Sequence, residues 1–368
     1  MIYLDNAATT LQKPPQVARA MAGAVGRLAS PGRGGHPAAM EAARAVYGCR
    51  QLAARLFDAR PEQVVFTLNA THALNLAIKT LVRPGDRVVV SGFEHNAVMR
   101  PLRGLGARVA VAGRKLFDPA DTLAAMDEAI DGETAAVVCT HVSNVFGYRL
   151  PVEEIAALCR RRGVPLIVDA AQSAGALPVS LERWKAAFIA MPGHKGLYGP
   201  QGTGILLCGR PPAPLLEGGT GSQSRSFSMP EDLPDRGEAG THNVPGICGL
   251  AAGLGYVLER GTAAIARREG ALLERFCREL AAMDRVRVFA GPSQSAVVSI
   301  QLEGRDCEEA GEALGRLGVA VRAGLHCAPL AHESAGTLEA GTIRLSLSDF
   351  TGEEDLRGAL EALRAMQE

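Results

Sequence analysis

Val164-Pro165-Leu166-Ile167-Val168-Asp169-Ala170-Ala171-Gln172-Ser173 is a short apolar run that stops on a carboxylate. It lacks the alternation of a half-exposed strand, so it reads as a strand covered on both faces. An amphipathic stretch, Val152–Arg162, precedes it and reads as a helix. The same rhythm extends outward in both directions. Upstream, strands are expected at Gln63–Thr67, Arg87–Ser91, Ala107–Val111 and Ala135–Thr140, with helices at 71–81, 97–105 and 119–130 between them. Downstream, short strands are expected at Ala187–Met191 and Gly204–Cys208. Buried strands separated by helices imply an α/β fold with a mostly parallel sheet flanked by helices.

The stretch Pro211–His242 is rich in Gly, Ser and Pro, has no periodicity and reads as a long loop. Helices at 245–260 and 263–283 follow, then strands at 285–290, 295–303 and 319–323, a helix at 305–317, a loop, a strand at 341–348 and a last helix. This is an α+β layer. It predicts a large domain over 1–254, whose N-terminal segment packs with the remainder, and a smaller C-terminal domain over 255–368.

The chain has 368 residues, long enough for two cores, and 39 basic residues balance 39 acidic ones. That balance speaks against a nucleic-acid or anionic-membrane surface. No run of eighteen apolar residues occurs, and Met1-Ile2-Tyr3-Leu4-Asp5 lacks a basic, apolar leader, so a cytoplasmic protein is expected. The eight cysteines, at 49, 139, 159, 208, 248, 277, 307 and 327, form no CxxC. Zinc, iron–sulfur and disulfide frameworks are therefore not expected, and most of these thiols should be small core residues.

In an open α/β sheet, ligands collect at the carboxyl ends of the strands. Asp169 lies at one such end, and a carboxylate there needs a partner such as a protonated heterocycle, an internal salt bridge or a helix terminus. Lys195 stands in Pro192-Gly193-His194-Lys195-Gly196, one of only five lysines in the chain. The loop carries no other formal charge, and glycine lets backbone approach a ligand closely. A desolvated lysine there can form a Schiff base with an aldehyde; the bland alternative is an exposed lysine on a turn. Asn69-Ala70-Thr71-His72 opens a helix, where free N–H groups and the Thr71 hydroxyl suit a phosphate, although Thr71 taken alone reads better as a helix cap. His95 and Asn144 follow two further strands, where either can serve the loop instead of a ligand. No GxxxxGK[ST] and no strand-borne GxGxxG occurs, which leaves ATP and NAD unsupported. Asp169, Lys195 and the Thr71 cup together describe pyridoxal 5′-phosphate (PLP).

Taken in order, these segments resemble the class V aminotransferase group of fold-type I PLP enzymes, and within it the cysteine desulfurase/selenocysteine lyase branch. The resemblance rests on Tyr3-Leu4-Asp5-Asn6-Ala7-Ala8-Thr9-Thr10, Glu94-His95-Asn96, Thr140-His141-Val142-Ser143-Asn144, Val168-Asp169-Ala170-Ala171-Gln172-Ser173, Gly193-His194-Lys195, Glu238-Ala239-Gly240-Thr241-His242-Asn243 and Arg322-Ala323-Gly324-Leu325-His326-Cys327. It implies a seven-stranded sheet in the large domain. It also implies that Lys195 links the cofactor aldehyde and moves the substrate α-proton, that Asp169 holds the ring nitrogen protonated, that Gln172 bonds the phenolic oxygen and that His95 stacks on the ring. Ala70, Thr71 and His194 would hold the phosphate. Thr241 would reach the phosphate of a second subunit, making a homodimer. Asn144 and Arg344 would bind the substrate carboxylate, a task that suits a bidentate arginine. Cys327, with Arg322 nearby to favour thiolate, would take sulfur from L-cysteine as a persulfide and pass it to an acceptor protein, leaving L-alanine.

Three features depart from that pattern: Pro192 where relatives carry a hydroxyl, the extra Gly196, and the segment Ala328-Pro329-Leu330-Ala331-His332. They mark a divergent subfamily. The rival readings are a class V aminotransferase or another PLP lyase or epimerase on a different amino acid, in which Cys327→Ala keeps most activity, and a non-catalytic scaffold in sulfur trafficking, which PLP would not colour. His326, Cys327 and His332 suggest a metal site only weakly, for want of a fourth ligand.

Overall fold

A computed structural model describes residues 1–32 and 34–367. The chain opens with β1 (Ile2–Tyr3), α1 (Pro15–Val25) and α2 (Pro37–Leu56). It then alternates β2 (Val64–Thr67), α3 (Ala70–Leu81), β3 (Arg87–Ser91), α4 (Asn96–Gly104), β4 (Arg108–Ala112), α5 (Pro119–Ala129), β5 (Thr134–Thr140), α6 (Val152–Arg162) and β6 (Leu166–Asp169). After α7 (Leu181–Trp184) come β7 (Phe188–Pro192) and β8 (Gly204–Cys208). The rest comprises α8 (Val244–Arg260), α9 (Thr262–Ala281), β9 (Val286–Phe289), β10 (Val297–Leu302), α10 (Cys307–Arg316), β11 (Val319–Ala320), β12 (Arg322–Gly324), α11 (Pro329–Ala335), β13 (Thr342–Ser346) and α12 (Glu353–Ala365).

β2 to β8 form one seven-stranded sheet in the order β2-β8-β7-β6-β5-β3-β4. Only β8 runs against its neighbours, so the sheet is mostly parallel, as the apolar runs imply. Its inner strands are buried residue by residue: β6, β7 and β8 have no exposed position. Apolar residues on its two faces pack into two separate cores with the helices, one around Val89, Val137, Val168 and Ile189, the other around Val88, Val138, Ile167 and Ala190. β4 and β5 flank β3 on opposite sides, so the winding reverses there, and a crevice opens at the carboxyl ends of β3, β5, β6 and β7.

A second sheet, β12-β13-β10-β9, is antiparallel throughout and shares a core with α9, α10 and α12. The N-terminal Leu4 is part of that core, and β1 pairs with β11 in parallel. The stretch 319–323, expected as one strand, is two: β11 bonds to β1 and β12 to β13, because the chain passes from one sheet to the other within a few residues. The loop expected after Cys327 contains α11. Helices α1 and α2, unassigned from sequence, pack against α8. α8 spans residue 255; its Leu254 lies in the large-sheet core and its Val257 in a small cluster with Tyr198 and Ile265.

The loop from Pro211 to His242 has no helix or strand beyond a single 3-10 turn at Asp235–Gly237. Its far end is fixed by a buried ion pair. Arg50 of α2 donates through Nη1 to Glu238 Oε1 at 2.7 Å, and its Nη2 also meets Glu238 Oε2. Glu238 in turn accepts from the Phe66 N–H, and Arg50 lies 4.5 Å over the Phe66 ring. Removing one partner leaves the other charge buried and alone. Arg50→Met is therefore expected to lower stability by about 3–5 kcal/mol, read as a lower urea midpoint.

Candidate active site

Each strand end at the crevice delivers one part of the site. After β3, Ser91 donates to Glu94 Oε1, which also accepts from the Thr140 N–H at 2.7 Å. Glu94 is fully buried, and that burial, with Asp169 adding to it, pushes its carboxyl up to about 8; Oε2 has no partner among the described residues. At neutral pH it is a carboxylic acid. His95 comes next and caps α4, its Nδ1 accepting from the Ala97 N–H at 2.9 Å. Burial, then the charges of Lys195 and Arg344, lowers His95 to about 4. It is a neutral ring with its proton on Nε2.

After β5, Asn144 donates to the His326 carbonyl at 2.8 Å, while its Oδ1 is buried without a partner among the described residues. At the end of β6, Asp169 is buried, and its Oδ1 accepts from the Ala171 N–H at 2.9 Å. Burial raises its pKa, against the pull of that N–H and of Lys195. Gln172 uses one amide N–H on the Ala7 carbonyl at 2.9 Å and keeps a second to donate.

After β7, the His194 carbonyl accepts from the Thr10 N–H at 3.2 Å, the Thr10 hydroxyl at 3.0 Å and Lys13 Nζ at 3.3 Å. His194 Nδ1 meets the Thr9 hydroxyl at 3.0 Å. The N-terminal segment thus clamps the lysine loop. Lys195 is half-buried, and desolvation first, then Arg344 and Arg322, lowers its ammonium to about 8, while Asp169 and Asp5 oppose the shift. The exposed-turn alternative for Lys195 is overturned by this setting. Gly196, the extra residue, fits only without a side chain: a Cβ there would lie 2.5 Å from the Ala174 carbonyl oxygen. Gly175, with φ +93°, abuts the Gly196 carbonyl in turn. Pro192 ends β7 opposite Gly204.

At the start of α3 the cap is Asn69, whose Oδ1 accepts from the His72 N–H at 2.9 Å, and not Thr71. The N–H groups of Ala70 and Thr71 and the exposed Thr71 hydroxyl have no acceptor or donor among the described residues. They are free for an anion at a helix N-terminus. α3 leaves β2, two strands across the sheet from β7. Thr241 lines a cavity with Leu68, His72 and Asn243 that includes neither Lys195 nor Asp169.

The second sheet supplies the last wall. Arg344 on β13 donates through Nη1 to the Asn144 carbonyl at 3.0 Å and through Nη2 to Asp5 Oδ1 at 2.9 Å, with Nε buried and unpaired among the described residues. Arg322 on β12 meets Asp5 Oδ2 at 3.1 Å. Cys327 is the one exposed cysteine of eight. Its carbonyl accepts from the Asn96 N–H at 2.7 Å, which ties it beside His95. Burial raises the thiols of the other seven. Both His326 and Cys327 adopt left-handed backbone, at φ +52° and +54°.

His326 Nε2 meets the Arg322 carbonyl at 3.1 Å, His326 Nδ1 meets His332 Nε2 at 3.3 Å, and His332 Nδ1 meets the Thr337 hydroxyl at 2.8 Å. All four ring nitrogens are engaged, so His326, Cys327 and His332 make no metal site. Asp5 and Glu94 are the parts that reading the sequence missed; both stand inside quoted motifs, but only the fold reveals their partners.

The arrangement can do specific chemistry. It brings a lysine of lowered pKa, a buried carboxylate, a neutral histidine, a buried arginine and a thiol to one crevice. A phosphorylated aldehyde with a basic ring nitrogen fits those groups.

The family profile described as Aminotransferase class-V matches residues 2–358. A probable cysteine desulfurase of Methanothermobacter thermautotrophicus is 32% identical over 97% of this chain and 92% of its own length. A cysteine desulfurase of Escherichia coli O127:H6 is 34% identical over 89% of this chain and 84% of its own. Among solved structures, the apo cysteine desulfurase of Thermococcus onnurineus NA1 superposes with a TM-score of 0.89 at 30% identity, covering 99% of this chain and 94% of that one. With fold and sequence in agreement over almost the whole length, the chain belongs to the class V aminotransferase family.

Proposed function

We propose that this enzyme is a PLP-dependent cysteine desulfurase, converting L-cysteine to L-alanine and holding the sulfur on Cys327 as a persulfide for an acceptor protein. The observation that carries this reading is Cys327: alone exposed among eight cysteines, it is anchored to the residue after His95 at the mouth of the Lys195 crevice. An aminotransferase has no use for such a thiol.

When bound, PLP supplies an electron sink conjugated to the substrate Cα. The protein's own groups do the rest. Asp169 would keep the ring nitrogen protonated, the spare Gln172 N–H would donate to the phenolic oxygen, and neutral His95 would lie against the ring. The free N–H of Ala70, the Thr71 N–H and hydroxyl, and His194 would hold the phosphate. In a homodimer Thr241 would reach the phosphate of the other subunit. Arg344 and Asn144 take the substrate carboxylate, through the Nε that lacks a protein partner and through the side-chain amide, and Arg322 lies toward the sulfur end. Lys195, whose ammonium deprotonates near pH 8, removes the α-proton as the free amine. Cys327 Sγ then attacks the substrate sulfur; the Cβ–S bond breaks, its electron pair stays with carbon and takes a proton, and the new S–S bond remains on the enzyme. Holding the thiol beside the substrate supplies rate through proximity.

We infer further that residues 1–254 and 255–368 act as two domains closing on this crevice, and that the protein works in the cytoplasm, where its eight unpaired cysteines suit a reducing compartment. Among the described residues no helix is long and apolar enough to cross a membrane.

The test is product stoichiometry: L-cysteine with reductant should yield sulfide and L-alanine in equal amounts. Alanine without sulfide, or turnover of other amino acids in preference, would refute the assignment. Asp169→Asn should bind PLP but lose roughly a hundred- to a thousandfold in kcat, because the ring nitrogen no longer stays protonated.

A further inference from the structure

The segment Ala328–His332, one of the departures from the family pattern, leads from Cys327 into α11, and its His332 has no role in the chemistry above. His332 is 0% exposed and His326 8%. Burial, first among the causes, lowers both rings, to about 3 for His326 and about 4 for His332, so each is neutral and carries one proton. Their planes lie 12° apart with centroids 5.6 Å apart, while His326 Nδ1 and His332 Nε2 approach to 3.3 Å. Parallel rings with so short a gap between their edges at that centroid distance lie side by side in one plane. One ring's N–H therefore points along the other's lone pair.

The far ends of the pair set its direction. His326 Nε2 faces the Arg322 carbonyl at 3.1 Å, which can only accept, so His326 carries its proton on Nε2 and accepts at Nδ1. His332 must then donate from Nε2, leaving its Nδ1 to accept from the Thr337 hydroxyl at 2.8 Å. The chain runs one way, from Thr337 through His332 and His326 to the Arg322 carbonyl. His326 has no nitrogen left for the thiol beside it. The same chain grips a strained turn. His326 and Cys327 adopt left-handed backbone in succession, at φ +52° and +54°, which L-residues resist. The Asn144 amide and the Asn96 N–H hold the two carbonyls of that turn, at 2.8 and 2.7 Å, and His332 holds its His326 side chain.

We propose that His332 is a positioning residue for Cys327: by donating to His326 Nδ1 it locks the left-handed turn that presents the thiol to the amino-acid subsite. This rests on the reading of Cys327 as the group that faces the substrate.

The test follows alkylation of Cys327 by iodoacetamide in the PLP-loaded protein, with and without L-alanine, by peptide mass. At about ten times its dissociation constant, bound L-alanine should shield the thiol and slow alkylation roughly tenfold. In His332→Phe the donor is gone and the turn loosens by the worth of one buried hydrogen bond, so the shielding should fall from roughly tenfold to about twofold. L-Alanine affinity, read from the visible absorbance of the cofactor, should stay within about twofold, since His332 bonds to no group assigned to the ligand. His332→Gln, whose amide N–H can donate to His326, should restore most of the shielding. Nitrogen NMR of the histidine-labelled wild type should show His326 protonated on Nε2 and bare at Nδ1. An unshielded wild-type thiol, full shielding in His332→Phe, shielding lost together with L-alanine affinity, no rescue by His332→Gln, or a His326 proton on Nδ1 would each overturn the inference. No sulfur moves in this experiment, so a shielded thiol that gains no sulfur from L-cysteine would refute the desulfurase reading while supporting this placement of Cys327.

Discussion

Lys195→Ala should leave a protein that binds PLP without a covalent link and loses desulfurase activity by a factor on the order of 10⁵ or more. The expectation follows from the uniqueness of the group. Lys13 and Lys195 each have an ammonium pKa lowered to about 8, and Lys13 is spent on the Thr10 hydroxyl at 2.8 Å and the His194 carbonyl. Lys195→Arg should be as inactive, since a guanidinium stays protonated and cannot attack an aldehyde. The lowered pKa adds a pH signature. Imine formation needs the free amine, which grows as pH rises toward 8 and saturates above it. The rate at which cofactor-free protein takes up added PLP should climb about tenfold per pH unit below 8 and level off beyond it. A rate that keeps climbing to pH 10 would mean that burial does not lower this lysine.

Cys327→Ala should separate cofactor chemistry from sulfur transfer. The side chain is exposed and accepts or donates no hydrogen bond among the described residues; the loop is held by the Cys327 carbonyl to the Asn96 N–H and by Asn144 to the His326 carbonyl. Truncation therefore leaves the backbone anchors in place, and stability should change by less than about 0.5 kcal/mol. The visible band of the bound cofactor should persist, while sulfide and alanine production fall by roughly 10³–10⁴. Cys327→Ser should behave likewise, because an alkoxide cannot carry a persulfide. Alanine formation at the wild-type rate in either variant would assign the sulfur step elsewhere.

The strands of the large sheet were legible because each is a mostly apolar run: Arg87–Ser91 and Gly204–Cys208 fall at the bounds that hydrophobic pattern alone sets, as does the amphipathic helix Val152–Arg162. The site's ordered residues were legible for a related reason, since strand ends in such a sheet converge on one crevice. What escaped lacked a local signal. α1 and α2 begin at Pro15 and Pro37 with no side-chain cap, and neither has an acidic residue in its first turn. The break between β11 and β12 is set by which sheet each half joins, something no window of sequence records. Asp5 reads as one more acidic residue beside an apolar strand, and its two arginines lie more than three hundred residues away along the chain. Thr71 looked like a cap because of its type; Asn69 takes that place because its extended backbone, at φ −174°, turns its side chain back onto the His72 N–H.

The central claim is that sulfur from cysteine comes to rest on one thiol. It is tested most directly by incubating the PLP-loaded protein with L-cysteine in the absence of reductant, then alkylating, digesting and weighing each cysteine-containing peptide. The account predicts a gain of one sulfur atom on the peptide bearing Cys327, in proportion to the alanine formed, and none on the other seven. Alanine with an unmodified Cys327, or the added sulfur on any other cysteine, would contradict it.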